Sequence, residues 1–434
     1  MDKMADVLGR AGAWCGQNKY LSAIKNAFQN FMPLTIAGAI GVLWCNVLVN
    51  ESTGLGIFFK PIMALDFLNP AFQAVNFCTI SCITVGITLG IAQEIGVWNM
   101  GAEKAGYIPG LVGLAAWLSV TNTSHMVEGA KEAFTGIAGN ELGATGLFTG
   151  MIIGVLSVEL FCFFEKQDAL KIKMPEQVPP GVARAFEVLV PATITLIITA
   201  CIGSACYNLT GLYLNDVIKN GIQGPLGAVG ATIPGVMIIY LVIMLFWLVG
   251  IHGNNMLSAV KEALFTPLAL ENVEKFNKGE KPTNIINMYA LQMWGEFGGS
   301  GVTIGLVIAI MIFGKREDNK AIATLSLVPG LFNINETVTF GIPMVLNPIL
   351  GIPFVFACLV TILVGYVLTV IGFCPVACLT VPWTTPPIVF GFLACGANVM
   401  GAVTQAILIV VSTVIYTPFL ISYEKYQNKQ AAEA

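Results

Sequence analysis

Apolar residues run through this chain in long blocks separated by short polar breaks, and the blocks are of two kinds. In the first half they are continuous: positions 27–49, 73–92, 105–121, 143–164 and 186–210 each suit a membrane-crossing helix in length and polarity. In the second half 229–251, 302–313, 344–373 and 398–422 read as further crossings, but the pieces between them are interrupted. Segments 252–270, 284–301, 321–343 and 375–396 are too polar, too short or too rich in Pro and Gly to cross simply. They are expected as half-helices or re-entrant hairpins, which membranes tolerate where they line a cavity. The pattern predicts an all-α polytopic membrane protein of about ten transmembrane helices, with re-entrant hairpins in the C-terminal half. Two domains are expected, a scaffold over 1–220 and a substrate-binding domain over 221–434, with a hinge near 211–228.

Composition and charge narrow the class. The 434 residues are 56% hydrophobic and 11% charged, against about a quarter charged in soluble domains. A net charge of −4, spread along the chain, gives no footprint for nucleic acid. The eleven cysteines sit mostly inside apolar runs, where a thiol behaves as a small hydrophobe. With only His125 and His252 as histidines, no metal site and no cofactor are expected. The first apolar run begins near Ala27, behind Asp2, Asp6, Arg10, Lys19 and Lys25, so it is expected to stay as the first helix. Lys166, Lys171, Lys173 and Arg184 follow the fourth block, whereas the loop at 122–142 has Glu128, Glu132 and Glu141 against Lys131. This asymmetry predicts a cytoplasmic N-terminus and a cytoplasmic 165–184 connection.

The chemistry collects in the irregular half. Between Ala321 and Tyr423 the only ionisable charge is Glu336, set in Asn333-Ile-Asn335-Glu336 and flanked by Pro329, Gly330, Gly341 and Pro343. A carboxylate at that depth costs several kcal/mol unless it faces a wet cavity or a partner. His252 ends a charge-free run from Gly221 and is followed by Gly253, Asn254 and Asn255, a composition that favours a turn or an unwound helix end. Its imidazole can both donate and accept hydrogen bonds, as a neutral polyol requires. In Trp294-Gly-Glu296-Phe-Gly298-Gly299-Ser300-Gly301 the glycines allow close approach of backbone to ligand, or equally of helix to helix. Trp383, followed by Thr384, suits the C–H face of a sugar ring, or equally an interface anchor. Gly298-Gly-Ser-Gly301 also fits the serine motif of rhomboid intramembrane proteases. Those need a histidine after the serine, and none follows His252.

Together these residues resemble the membrane-embedded IIC component of bacterial phosphotransferase sugar transporters, of the lactose/cellobiose/chitobiose group. The resemblance rests on Lys171-Ile-Lys-Met-Pro-Glu-Gln-Val-Pro-Pro-Gly-Val182, Gly250-Ile-His252-Gly253, Gly298-Gly-Ser-Gly301, Asn333-Ile-Asn-Glu336 and Phe340-Gly-Ile-Pro343, in that order. Glu296 departs from the Asp-centred pattern of that group, which bears on the choice of sugar. The resemblance implies an N-terminal dimer interface and a C-terminal domain that carries the sugar across the membrane as an elevator. It implies that His252 and Glu336 face a disaccharide, expected to be β-linked, with Trp383 stacked on a ring. Asn254, Asn255, Glu296, Gly299, Ser300, Asn333, Asn335 and Thr384 complete the expected sugar contacts. The phosphoryl group would come from a phosphocysteine on a cytoplasmic IIB protein, itself charged by a IIA phosphohistidine. No cysteine here lies in a cytoplasmic domain, and the chain stops soon after its last helix, so a stand-alone permease without a phosphoryl-carrying residue is expected. A homodimer in the bacterial cytoplasmic membrane, in contact with lipid and with both termini inside, is implied as well.

Glu336 and His252 are the expected catalytic pair, and the sequence leaves open which takes the hydroxyl proton. The competing reading is an ion- or proton-coupled secondary transporter with Glu336 as the proton carrier. A sugar-sensing receptor would need a signalling domain that the chain does not show.

Overall fold

The structure, a computed structural model, describes the whole chain except residues 1–9, 11–13, 15–16, 52–55, 57–58, 126–133, 176, 226–229, 343, 346 and 434. The loop charges Glu128, Lys131 and Glu132, the N-terminal Asp2, Lys3 and Asp6, and the breaker Pro343 therefore lie outside the described residues. Among those described, five helices are long and apolar enough to cross a membrane: Lys19–Leu48, Ala144–Glu165, Pro180–Thr210, Gly351–Val370 and Val399–Glu433. The number rises to seven if each of two bent pairs counts as one crossing. About ten crossings were expected; Ile108–Val120 and Ile233–Leu248 are apolar but fall short of a full span.

The bends explain two of the differences. The block expected at 73–92 is the middle of a pair, Lys60–Ser81 and Ile83–Met100, that turns through 41°. The wide turn Phe77–Ser81 leads into Cys82, and the Thr79 hydroxyl donates back to the Val75 carbonyl at 2.6 Å, an arrangement that bends helices. The block expected at 302–313 is the second arm of a pair, Met288–Val302 and Ile304–Phe313, turning through 60°. The break carries Gly298, Gly299 and Gly301, with φ of 68°, 86° and 76°. The block expected over 344–373 shortens to Gly351–Val370, because the Asn347 side chain accepts the Ile349 and Leu350 N–H groups in a turn.

The chain divides into two compact units, each discontinuous in sequence. In the unit made of Gln17–Gly38 and Ala74–Ala228, the helices Ile83–Met100, Ile108–Val120, Ala144–Glu165 and Pro180–Thr210 pack together. Ala116, Trp117, Val120 and Ile153 form its inner cluster. Small residues bring these helices close: a Cβ on Gly113 would lie 2.3 Å from that of Ala92. Its buried hydroxyls mostly turn back on their own helix, as when Thr195 and Ser157 donate to the Pro191 and Ile153 carbonyls at 2.8 and 2.6 Å. One cluster of charges gathers where helices end. Glu165, 1% exposed, accepts from Lys104 at 2.8 Å and Arg184 at 2.9 Å. The 211–228 connection is tied to this unit by Thr149, whose hydroxyl donates to the Asn215 side chain at 2.6 Å.

In the other unit, Ala39–Gln73 clusters with Val229–Ala434, and the Asn46 amide donates to Asn277 at 3.1 Å. Val399–Glu433 is its spine and packs on Ile304–Phe313, Gly351–Val370 and Val389–Ala394. Two chain reversals are built against this frame. In the first, Glu317–Leu331 ends at Phe332 and the chain returns as Glu336–Gly341, which brings Gly341 beside Ile322. In the second, residues 375–385 run out and Val389–Ala394 runs back. The Cys378 and Leu379 N–H groups donate to the Ala394 carbonyl at 2.7 and 3.1 Å. Gln405 secures the returning arm, accepting from the Ile388 and Gly391 N–H groups at 2.7 Å each. Asn272 and Asn287 hold the outgoing arm through the Ala377 carbonyl, at 3.0 and 3.2 Å.

Candidate functional site

His252 is placed by the end of a helix and the start of a short one. Ile233–Leu248 opens on a Thr232 cap and stops where Gly250 takes a φ of 81°. His252 then caps Gly253–Met256: its Nδ1 accepts the Asn255 N–H at 3.3 Å, and its ring lies 4.4 Å, centroid to centroid, from buried Trp247. A neutral imidazole that accepts at Nδ1 carries its proton on Nε2. That Nε2 lies 3.8 Å from Glu336 Oε1. Glu336 is the first residue of Glu336–Gly341, where the helix dipole favours a negative charge. The two side chains are 37% and 47% exposed, so the pair is open on one side.

Asn333 and Asn335 are turned toward the protein's own backbone. Asn333 adopts a φ of 63° at the tip of the first reversal. Its Oδ1 accepts the Gly298 N–H at 2.7 Å, and its Nδ2 donates to the carbonyls of Trp383 and, at 3.0 Å, Thr385. One amide thus joins the glycine bend to the tips of both reversals. Asn335 is buried and donates to the Ser300 carbonyl at 2.8 Å. Gly299 faces Asn335, where a Cβ would lie 2.6 Å from the asparagine's Cβ, so no side chain fits there. Ser300 is buried, 4% exposed. Trp383 is 45% exposed while its carbonyl is held by Asn333. Thr384 beside it is half-buried, and Asn255 is exposed.

Glu296 belongs to an interior network that the sequence reading missed. It pairs with Lys261, 5% exposed, and its Oε1 also accepts from the Tyr240 hydroxyl at 2.6 Å. Lys261 donates in addition to Asn254 Oδ1 at 2.9 Å, and Asn254 Nδ2 donates to Ser300 Oγ at 2.8 Å. The available signal was Lys261 itself, seven residues beyond Asn254 and in the first turn of the next helix, Ser258–Asn277. Among the described residues, no group of three or more His, Cys, Asp or Glu is arranged to hold a metal ion.

A helical membrane protein whose broken helices carry an open imidazole–carboxylate pair, backed by an interior amide network, is the class that fold and site define. The chain belongs to the phosphotransferase system EIIC family, whose model matches residues 25–358. It is 33% identical over 98% of its length to the oligo-beta-mannoside-specific EIIC component of Bacillus subtilis, covering 94% of that protein. The cellobiose-specific EIIC component of Lactococcus lactis is 28% identical, over 98% of each chain. The lactose-specific EIICB component of Streptococcus mutans is 27% identical over 96% of this chain and 71% of its own. Among solved structures, the transporter ChbC, the IIC component of the N,N'-diacetylchitobiose-specific system, superposes with a TM-score of 0.88. It is 29% identical, and the match covers 97% of each chain.

Proposed function

We propose that this EIIC permease takes up a β-linked disaccharide and presents one of its hydroxyls to a phosphorylated IIB partner. The observation that carries the reading is the His252–Glu336 pair. The 3.8 Å between Nε2 and Oε1 is too long for a direct hydrogen bond. A hydroxyl oxygen can sit about 2.8 Å from both, accepting from Nε2–H and donating to the carboxylate. Because Nδ1 is already an acceptor for the Asn255 N–H, the neutral ring has no second lone pair for that proton. Glu336 therefore takes the proton as the hydroxyl attacks phosphorus, and His252 orients the oxygen. The ring of Trp383 supplies a stacking surface. The names of the relatives, which include mannoside-, cellobiose- and lactose-specific components, support a β-linked sugar.

In this reading 1–220 is the scaffold and dimer interface, and 221–434 carries the sugar as an elevator. The protein is a homodimer in the bacterial cytoplasmic membrane with both termini inside.

Vesicle uptake tests the function. Transport that requires phospho-IIB and survives dissipation of proton and sodium gradients is expected; gradient-driven uptake of unmodified sugar without IIB would overturn the proposal. Replacing His252 by Ala is expected to weaken sugar binding by about 1–3 kcal/mol, since a buried hydroxyl loses its partner. Unchanged affinity by calorimetry counts against the assigned contact.

A further inference from the structure

The Lys261 network has a direction that the hydrogen-bond chemistry fixes. An ammonium group only donates, so the atom of Asn254 facing Lys261 must be Oδ1, and the amide nitrogen must face Ser300. Ser300 Oγ is then an acceptor from Asn254, and its own proton has to go elsewhere. Among the described residues nothing accepts that proton, although Ser300 is only 4% exposed. A buried hydroxyl proton without an acceptor is unfavourable and rare in folded proteins. The rest of the residue is held still: its carbonyl accepts from Asn335, and the Gly301 carbonyl accepts from the Tyr416 hydroxyl at 2.7 Å. Glu296 and Tyr240 keep Lys261 in place, the carboxylate by its charge and the phenol by a second bond to that carboxylate.

We infer that Lys261 is a positioning residue for substrate recognition: through the Asn254 amide it sets Ser300 as a hydrogen-bond donor to one oxygen of the bound sugar. The inference rests on the proposed disaccharide function. It assigns that recognition step to a cation that does not itself touch the ligand. Without the ammonium, the Asn254 amide can turn over and present its oxygen to Ser300, which then spends its proton on the amide.

Removing Lys261 alone would leave the mostly covered Glu296 carboxylate without its ion partner, so the test uses Lys261→Met together with Glu296→Gln. Purified wild type, this double variant and Ser300→Ala are titrated calorimetrically with the preferred disaccharide and with each of its monodeoxy analogues. The double variant is expected to bind the parent sugar about tenfold more weakly, the worth of one hydrogen bond. For one analogue, the sugar lacking the accepting hydroxyl, that loss should vanish, and Ser300→Ala should single out the same analogue. A loss spread evenly over all analogues, no loss at all, or a different analogue for the two variants overturns the inference while leaving the proposed function standing. A wild type that binds no β-linked disaccharide overturns both.

Discussion

The two units meet polar groups in an apolar environment with a different balance of local and long-range bonds. In the unit containing Ala74–Ala228 most buried hydroxyls bond to a carbonyl one turn back, so each is satisfied within its own helix. In the unit containing Val229–Ala434 the amides reach across the chain. Asn333 joins residues 298, 383 and 385, Asn335 reaches Ser300, and Gln405 reaches residues 293, 388 and 391. Local satisfaction closes each bond within one helix and asks nothing of its neighbours. Long-range satisfaction requires backbone that is broken and held, and broken backbone is what lets His252 and Glu336 come within 3.8 Å.

The largest effect that would sharpen this contrast is chemical. Glu336→Gln is expected to slow phosphoryl transfer from phospho-IIB by at least about a hundredfold, the usual contribution of a positioned base. Sugar affinity should fall much less, and single-turnover transfer beside calorimetry separates the two. Normal turnover would remove Glu336 from the role of base. Next in size is Asn333→Ala, which deletes the tip contacts and places a Cβ-bearing residue without a polar side chain at a φ of 63°. It should cost about 2–4 kcal/mol of stability and lower sugar affinity as well. Thermal unfolding in detergent checks the first part, and a variant as stable as wild type would break the claim that long-range amides hold this unit.

In the regular unit, Glu165→Gln should cost about 1–2 kcal/mol, because Arg184 keeps its second partner Glu187 at 2.7 Å. Sugar affinity is expected to stay unchanged there, and a change would show that this unit's charges reach the site. The smallest effect is expected from Thr195→Val, which removes a hydroxyl bonded only to its own helix and should shift stability by about 0.5 kcal/mol or less. A loss as large as that of Asn333→Ala would erase the distinction between the two kinds of bonding.

How much could be read in advance follows the same division. Continuous apolar blocks such as 143–164 and 186–210 announce their helices, because length and polarity alone decide them. The bend at Cys82 was not legible, since a wide helical turn leaves no compositional mark. Glu336 and His252 stood out as isolated polar residues in apolar surroundings. Glu296 stood out in the same way, but its partner Lys261 did not, because Lys261 sits beside Glu262 in sequence and only folding brings it to Glu296. Asn333 and Asn335 were legible as polar residues, but their bonding to backbone depends on where three distant segments meet.

The Asn333 contacts have a mechanical meaning. One side chain couples the glycine bend, the backbone beneath Trp383 and the stretch leading into Glu336. The groups proposed to stack on the sugar and to take its proton are thus carried on one hydrogen-bonded cassette. Any displacement of that cassette through the membrane would leave the acceptor geometry intact, so alignment for phosphoryl transfer need not be rebuilt at the end of each transport stroke.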